Sequence, residues 1–386
     1  MTEIQNIFDE SLAKDGLVLA VSGGPDSMAM LSLAHRFING KFSVVTVDHH
    51  LRRTSADDAV LVKKFCAERG IPCVVADVYP KEFAKENKLS VETAARILRH
   101  GALALLSKGK TVCLAHTKND QAETVLMHLI RGSGGKGTCG MKKLSNGAYR
   151  PLLDFTKDEL LEYAAKNEVP YAIDPTNKSN RYTRNFIRNA IIPRIQKLNP
   201  NAVKNIARYA KTRDDDEDYF EKQVDEIFPS LGVAFEWKGA TLPNSVFKLH
   251  PALASRVVIK VFSLLGHDKD VKKVHVDAIS ALAENSSGKK LCLPFGLTAV
   301  KGYSGITILP LSAVKNTETK PYKVGKTVFA DKTLSIGFAP QNGLRYDAAK
   351  IPEGAVIRTA RQGDAFTKFG GGTKSLKKYF IDKKIP

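Results

Sequence analysis

The first third of the chain alternates short apolar runs with longer stretches of helical period. Leu17-Val18-Leu19-Ala20-Val21, Ser43-Val44-Val45-Thr46-Val47, Cys73-Val74-Val75-Ala76 and Thr111-Val112-Cys113-Leu114-Ala115 read as strands. Helices are predicted from Pro25 onward, over 56–69, over 91–107 and over 119–131. Near-continuous apolar strands separated by helices of this length predict an α/β fold, with a doubly wound parallel sheet covered on both faces. Ligands of such sheets lie at the carboxyl ends of the strands. Polar clusters stand there: 22–27 after the first strand, 48–53 after the second, and 116–123 after the strand ending at Ala115.

Beyond Arg131 the pattern changes. Residues 132–147 are rich in Gly, Ser and Lys, which predicts either a loop mobile until an anion orders it or a plain connector. A mostly helical linker is expected over 183–230, a small mixed α/β domain over 231–312, and a largely β segment over 321–386, leaving 1–182 as the catalytic domain. Within these, a helix is predicted over 252–265, a hairpin over 291–309, and a pair of strands over 323–329 and 334–338. The acidic run Asp214-Asp215-Asp216-Glu217 points in several directions around a helix and is expected to be solvated rather than metal-binding.

The cluster after the first strand is the most specific. Ser22-Gly23-Gly24-Pro25-Asp26-Ser27 breaks an apolar strand and opens a helix at once, with Pro25 where a missing N–H costs nothing. Glycines let a phosphate approach the backbone, the first-turn N–H groups attract it, and the hydroxyls of Ser22 and Ser27 add donors. The Gly-Lys-Ser/Thr ending of a Walker loop is absent, so Asp26 is expected to hold a Mg²⁺ ion that bridges nucleotide phosphates. In Ala115 to Thr124, Asp120 and Glu123 share a helix face, and His116 precedes them at the strand end. Such a group can bind Mg²⁺, hold an ammonium group or take a proton from an amine. Plain helix capping, with Asn119 as N-cap, is the simpler alternative.

Composition narrows the partners. The 386 residues suffice for about two or three domains, and no apolar run is long enough for a membrane span, so no membrane partner and a cytoplasmic address are expected. A net charge of +19 favours a polyanionic partner, and beside a nucleotide loop it points to RNA or DNA. The five cysteines lack Cys-x-x-Cys spacing, which argues against zinc, iron–sulfur clusters and a disulfide framework. Near the end, Lys374, Lys377, Lys378, Lys383 and Lys384 interleave with Tyr379 and Phe380, as suits a surface that grips a nucleic-acid backbone.

The loop resembles the Ser-Gly-Gly-x-Asp-Ser signature of the pyrophosphatase-loop ATPases, and nearly the whole chain resembles the tRNA(Ile)-lysidine synthase family within them. The motifs are Asp48-His49-His50-Leu51-Arg52, Glu92 to Arg99 with Arg96 and Arg99, Ala115 to Thr124, Arg131-Gly132-Ser133-Gly134, Arg150-Pro151-Leu152-Leu153, Asp174 to Asn177 and Tyr182 to Arg188. Arg358, Gly363-Asp364 and Lys377 to Pro386 extend the match. Thr117 and Asn119 depart from the pattern, and relatives usually continue further, so an ending at Pro386 implies a truncated or shortened last domain.

The resemblance implies an adenine nucleotide α-hydrolase-like fold and a two-step reaction. ATP adenylates the carbonyl oxygen on carbon 2 of the wobble cytidine of isoleucine tRNA, and free L-lysine then displaces AMP through its ε-amine. It assigns Ser22, Gly23, Gly24, Pro25, Asp26, Ser27 and Arg188 to ATP, Asp26 also to the metal, and Asp26, His116, Asp120 and Glu123 to catalysis. Arg96, Arg99, Arg131, Asn185, Lys377 and Lys378 are assigned to the RNA, and a homodimer is left open. Three other readings compete: a tRNA thiolase of the same superfamily, a small-molecule synthetase of the same fold, and a non-catalytic RNA-binding relative.

Overall fold

The computed structural model describes residues 7–13, 16–38, 40–51, 55–173, 179–180, 182–236, 239–267, 271–314, 319–329, 332–336, 351–361, 363–367 and 371–383. Arg52, Arg53, Asp174 to Asn177, Gly337, Phe338 and Lys384 to Pro386 lie outside the described residues. Two compact units are present, 1–217 and 218–386.

The first unit is built on a six-stranded sheet of order β3-β2-β1-β4-β6-β5. Its strands are β1 (Leu17–Ala20), β2 (Phe42–Asp48), β3 (Cys73–Asp77), β4 (Thr111–Leu114), β5 (Leu144–Ser145) and β6 (Ala148–Tyr149). All pairings are parallel except that of β5 with β6. Its helices are α1 (Glu10–Ala13), α2 (Pro25–Phe37), α3 (Ser55–Ala67), α4 (Pro80–Asn87), α5 (Val91–Ser107), α6 (Lys118–Ile130), α7 (Lys157–Lys166), α8 (Thr183–Phe186), α9 (Ile192–Leu198) and the first part, to residue 217, of α10 (Ala202–Ile227). Alternation along β1 divides the core. Leu17 and Leu19 pack with Met28, Leu31 and Leu160, while Val18 packs with Val45 and Leu103 on the opposite face. The chain winds outward from β1 to β3 and then returns to place β4 on the other side of β1, so the topological switch point lies between β1 and β4. Both informative polar segments, 22–27 and 115–123, leave the sheet there.

The Gly-rich segment after α6 is tied to that helix at Met141. Gln121 donates to Met141 O at 3.0 Å and accepts from Met141 N at 2.7 Å. Gly140 makes this possible, since its φ is +68° and a Cβ there would stand 2.6 Å from Gln121 Oε1. Gly140→Ala is therefore expected to cost about 3 kcal/mol, combining backbone strain with two disturbed hydrogen bonds, as read from urea unfolding. The acidic run is corrected in part: Glu217 is buried and Asp214 pairs with Lys142 at 3.2 Å, which leaves Asp215 exposed as expected.

The second unit contains a five-stranded antiparallel sheet, ordered 234–236, 239–243, 305–310, 297–301, 290–292, with helices over 251–264 and 273–283. Leu242, Val257, Phe262, Ile279, Ile306 and Ile308 form its core. Three two-stranded pairs follow: 319–321 with 356–358, 325–329 with 332–336, and 365–367 with 373–375. A helix over 376–382 carries Lys377 and Lys378 exposed, and Tyr379 packs edge-on against Phe366.

Candidate active site

The loop after β1 is shaped to receive an anion. Gly23 has φ +80°, and Gly24 sits at the N-cap of α2 with no side chain to occupy the first-turn donors. Ser27 folds back: its Oγ donates to Gly24 O at 3.0 Å and accepts from Ser22 N at 3.1 Å, which holds the turn open. The Ser22 and Ser27 hydroxyl oxygens lie 3.3 Å apart, and Ser22 faces solvent.

Asp26 stands at the mouth of this cradle. Its Oδ2 lies 3.7 Å from Lys157 Nζ, while Oδ1 is buried without a hydrogen-bond partner. Burial raises its pKa first of all, the Asp120 and Glu123 charges add to this, and Lys157 and Arg188 oppose it. A carboxylate oxygen removed from water and left unbonded is costly unless a cation completes it. The donor chemistry fits Mg²⁺, which takes oxygen ligands and keeps much of its water.

Across the switch point, α6 presents its own carboxylates. The structure corrects the expected cap: Thr117, not Asn119, is the N-cap, and Asp120 reciprocates as the third helical residue, accepting from Thr117 N at 2.9 Å and from Thr117 Oγ1 at 2.8 Å. Asn119 instead accepts from Lys157 N at 3.0 Å and so ties α6 to α7. With Oδ2 committed to the cap, Asp120 Oδ1 accepts from Arg184 Nη2 at 3.1 Å and Arg188 Nη2 at 3.2 Å. Glu123, fully buried, accepts from Arg184 Nε at 2.8 Å and from Arg188 Nε and Nη2 at 2.6 and 2.8 Å. Burial would raise the pKa of Asp120, but Lys157, Arg184 and Thr117 outweigh it and bring the value down to about 2.

Spacing makes this grip possible. Asp120 and Glu123 are three apart on α6; Arg184 and Arg188 are four apart on α8 and the single π turn over 187–191 that joins it to α9. Arg184 and Lys157 escape a reading of the sequence. The i,i+4 spacing of Arg184 to Arg188 opposite Asp120-x-x-Glu123 is the only local signal for the former, and Lys157 has none.

His116 follows β4, with Nδ1 unpartnered. Burial dominates its pKa, Arg150, Arg184 and Arg99 add to the effect against Asp120, and the result is a value of about 4, so the imidazole is neutral at physiological pH. His49, after β2, also has an unpartnered Nδ1 and a lowered pKa, from burial and then Arg99. Arg99 is exposed on α5 yet crowded on its inner side; desolvation there, then like-charged Arg96 and Arg184, lower its pKa. Arg96, Arg99 and Arg184 thus crowd their positive charges beside two imidazoles whose pKa values are lowered.

Other expected residues stand apart. Arg131 is the exposed C-cap of α6, about 12–17 Å along the helix from Glu123 and Asp120. Asn185 is bonded to Ser179 O at 2.9 Å, and Lys377 and Lys378 belong to the second unit. Among the described residues one further group has metal-ligand spacing, Asp48, His50 and Asp77, closed by its own bonds of His50 N to Asp48 at 2.9 Å and His50 Nε2 to Asp77 at 2.8 Å. No helix among the described residues is long and apolar enough to cross a membrane.

A family model described as a PP-loop domain matches residues 1–195. The tRNA(Ile)-lysidine synthase of Caldanaerobacter subterraneus subsp. tengcongensis is 31% identical over 399 residues, covering 96% of this chain and 85% of that one. That of Clostridioides difficile is 32% identical over 401 residues, covering 96% and 86%. Among solved structures, a U34-tRNA thiolase from Methanococcus maripaludis aligns with TM-score 0.47 at 19% identity, covering 55% of this chain and 78% of that one, a distance at which likeness says nothing about activity. A phosphate-cradling loop and a carboxylate pair facing each other across the switch point, with full-length relatives at this identity, lead to one assignment: the chain belongs to the PP-loop proteins and, among them, to the tRNA(Ile)-lysidine synthases, a ligase family.

Proposed function

We propose that this protein, acting on isoleucine tRNA in the cytoplasm, converts the wobble cytidine to lysidine in two steps. In the first, the carbonyl oxygen on carbon 2 attacks the α-phosphorus of ATP; the O–P bond forms and pyrophosphate leaves. In the second, the lysine ε-amine adds to carbon 2, loses a proton, and the C–O bond breaks to release AMP. A cytosine oxygen is a poor leaving group and AMP a good one.

The observation that carries this reading is the pairing of an anion cradle with an orphaned carboxylate oxygen at Asp26. Gly23, Gly24, Pro25 and the hydroxyls of Ser22 and Ser27 would hold the nucleotide phosphates, Asp26 would hold Mg²⁺, and Arg188 would add charge on their far side. When bound, the metal supplies neutralisation of charge developing on the phosphates. Asp120 and Glu123 would receive the ammonium of lysine. His116 is neutral at pH 7 and has a free ring nitrogen, so it suits removal of the amine proton. Arg96 and Arg99, exposed beside the site, would meet the anticodon loop, and Arg131, Asn185, Lys377 and Lys378 would also grip RNA.

The cysteines speak against a thiolase. Cys113 lies within β4 and burial pushes its thiol up; Cys66, a free thiol hydrogen-bonded to Cys73, and Cys139 are raised as well. Cys73 has a lowered pKa but opens β3, at the amino end of the sheet, away from the switch-point ends. The test combines radiolabelled lysine, ATP, Mg²⁺ and isoleucine tRNA transcript. Label is expected in that transcript with matching AMP release, and none in methionine tRNA transcript. Serine at every cysteine should leave incorporation intact; its loss would favour sulfur chemistry, and RNA binding with no AMP would favour a non-catalytic module.

A further inference from the structure

The carboxylates assigned to lysine already hold cations. Around the switch point three acids, Asp26, Asp120 and Glu123, face three bases, Lys157, Arg184 and Arg188, all linked by contacts of 3.9 Å or less. The set is charge-balanced as it stands. Bringing in an ammonium adds a fourth positive charge to a region with no spare acid, and the attraction that would hold it is cancelled by two guanidiniums on the same oxygens. Lysine can therefore enter this position only when a resident cation leaves it.

The two arginines are not held alike. Arg188 grips Glu123 with two nitrogens, at 2.6 and 2.8 Å, and reaches Asp120 at 3.2 Å. Arg184 makes one bond to each acid, at 2.8 and 3.1 Å. Its side chain is 34% exposed against 27% for Arg188, and it sits on the four-residue helix α8. A bidentate pair is the stronger and more specific of the two arrangements, so Arg184 is the residue that yields first. It also has somewhere to go, because its charge already reaches Arg99 and His116. Arg96, Arg99 and Arg184 lie close enough for their like charges to repel, and a polyanion relieves that repulsion.

We propose that Arg184 is a resident counter-ion occupying the ammonium position of lysine, drawn off Asp120 and Glu123 by the phosphates of ATP, so that nucleotide binding opens the amino-acid site. This rests on the reading that Asp120 and Glu123 receive the lysine ammonium. It makes Arg184 a positioning residue and enforces an order in which the nucleotide binds before lysine. Differential affinity of the nucleotide for the two positions of Arg184 is the source of the coupling, and by reciprocity lysine should tighten nucleotide binding by the same factor.

Equilibrium dialysis of radiolabelled lysine against the full chain, with and without Mg²⁺ and α,β-methylene ATP, tests this. In the unsubstituted protein lysine affinity is expected to rise tenfold or more when the analogue is added. In Arg184→Ala and Arg184→Gln lysine should bind without the analogue at least tenfold tighter than to the unsubstituted protein, and the dependence should collapse. Arg184→Lys should restore it in part. Either of the two neutral variants suffices, provided it melts cooperatively and still binds the analogue. Equal lysine affinity in both conditions, no lysine binding with the analogue, or an unchanged dependence in the variants overturns the exchange. If labelled product nevertheless forms from isoleucine tRNA, the functional reading survives that result; if no product forms at all, that reading falls and the exchange falls with it.

Discussion

Asp26→Asn is expected to reduce AMP release about 10³-fold or more while leaving thermal stability at pH 7.5 equal to or above that of the unsubstituted protein. The amide keeps the shape of the side chain but cannot supply the negative oxygen that the metal needs, and a loss of about 4 kcal/mol of transition-state stabilisation corresponds to that factor. The stability half of the prediction follows from burial. The folded protein raises the pKa of Asp26 above 3.8, so at neutral pH the ionised carboxylate costs more in the folded state than in the unfolded one. Neutralising it removes that cost. The advantage of the variant should fade as pH falls through the raised folded-state pKa and be gone below about 3.8, where Asp26 is protonated in both states. A carboxylate kept only for structure behaves oppositely: its loss would lower the melting temperature and leave AMP release within tenfold. Melting curves across pH, set beside AMP release with tRNA and lysine present, separate the two roles.

Parts of this arrangement are legible in the sequence because local physics dictates them. β1, β2 and β4 are read from apolar runs because a parallel sheet buries both faces of its strands. The loop at 22–27 is read from glycines, proline and serines that each answer a backbone requirement at a fixed offset. The capping box is also legible in Thr117-Lys118-Asn119-Asp120, because Asp120 stands three residues after Thr117 and reciprocates with it rather than with Asn119. What cannot be read locally is what the acids face. The bonds from Arg184 and Arg188 to Asp120 and Glu123 span 61 to 68 residues, and the register of a π turn decides that both guanidiniums arrive on one face. The bonding of Met141 by Gln121 is equally non-local, since a Gly-rich composition does not name the partner that a segment meets.

Glu123→Gln is expected to be the most destabilising substitution in the site and to abolish lysine incorporation. Glu123 is fully buried and accepts three hydrogen bonds from two guanidiniums, so the amide leaves Arg184 and Arg188 with Asp120 Oδ1 as their remaining acidic oxygen. Removing one partner of a buried pair strands the other charge, at a cost of about 3–5 kcal/mol. For a unit of this size each kcal/mol shifts the melting temperature by roughly 2–4 °C, which gives a fall of about 6–20 °C. Because the cost lies in stranded charge rather than lost shape, it should be relieved by removing the charge as well. Glu123→Gln combined with Arg188→Met is therefore expected to melt above the single Glu123→Gln variant, with a coupling energy of about 2 kcal/mol in a double-mutant cycle. Incorporation of lysine should stay absent in the double variant, since restoring charge balance does not restore an acid to meet the ammonium. A Glu123→Gln protein that melts within about 2 °C of the original would mean that solvent or Asp120 already satisfies both arginines, and recovered incorporation in the double variant would remove Glu123 from the lysine site.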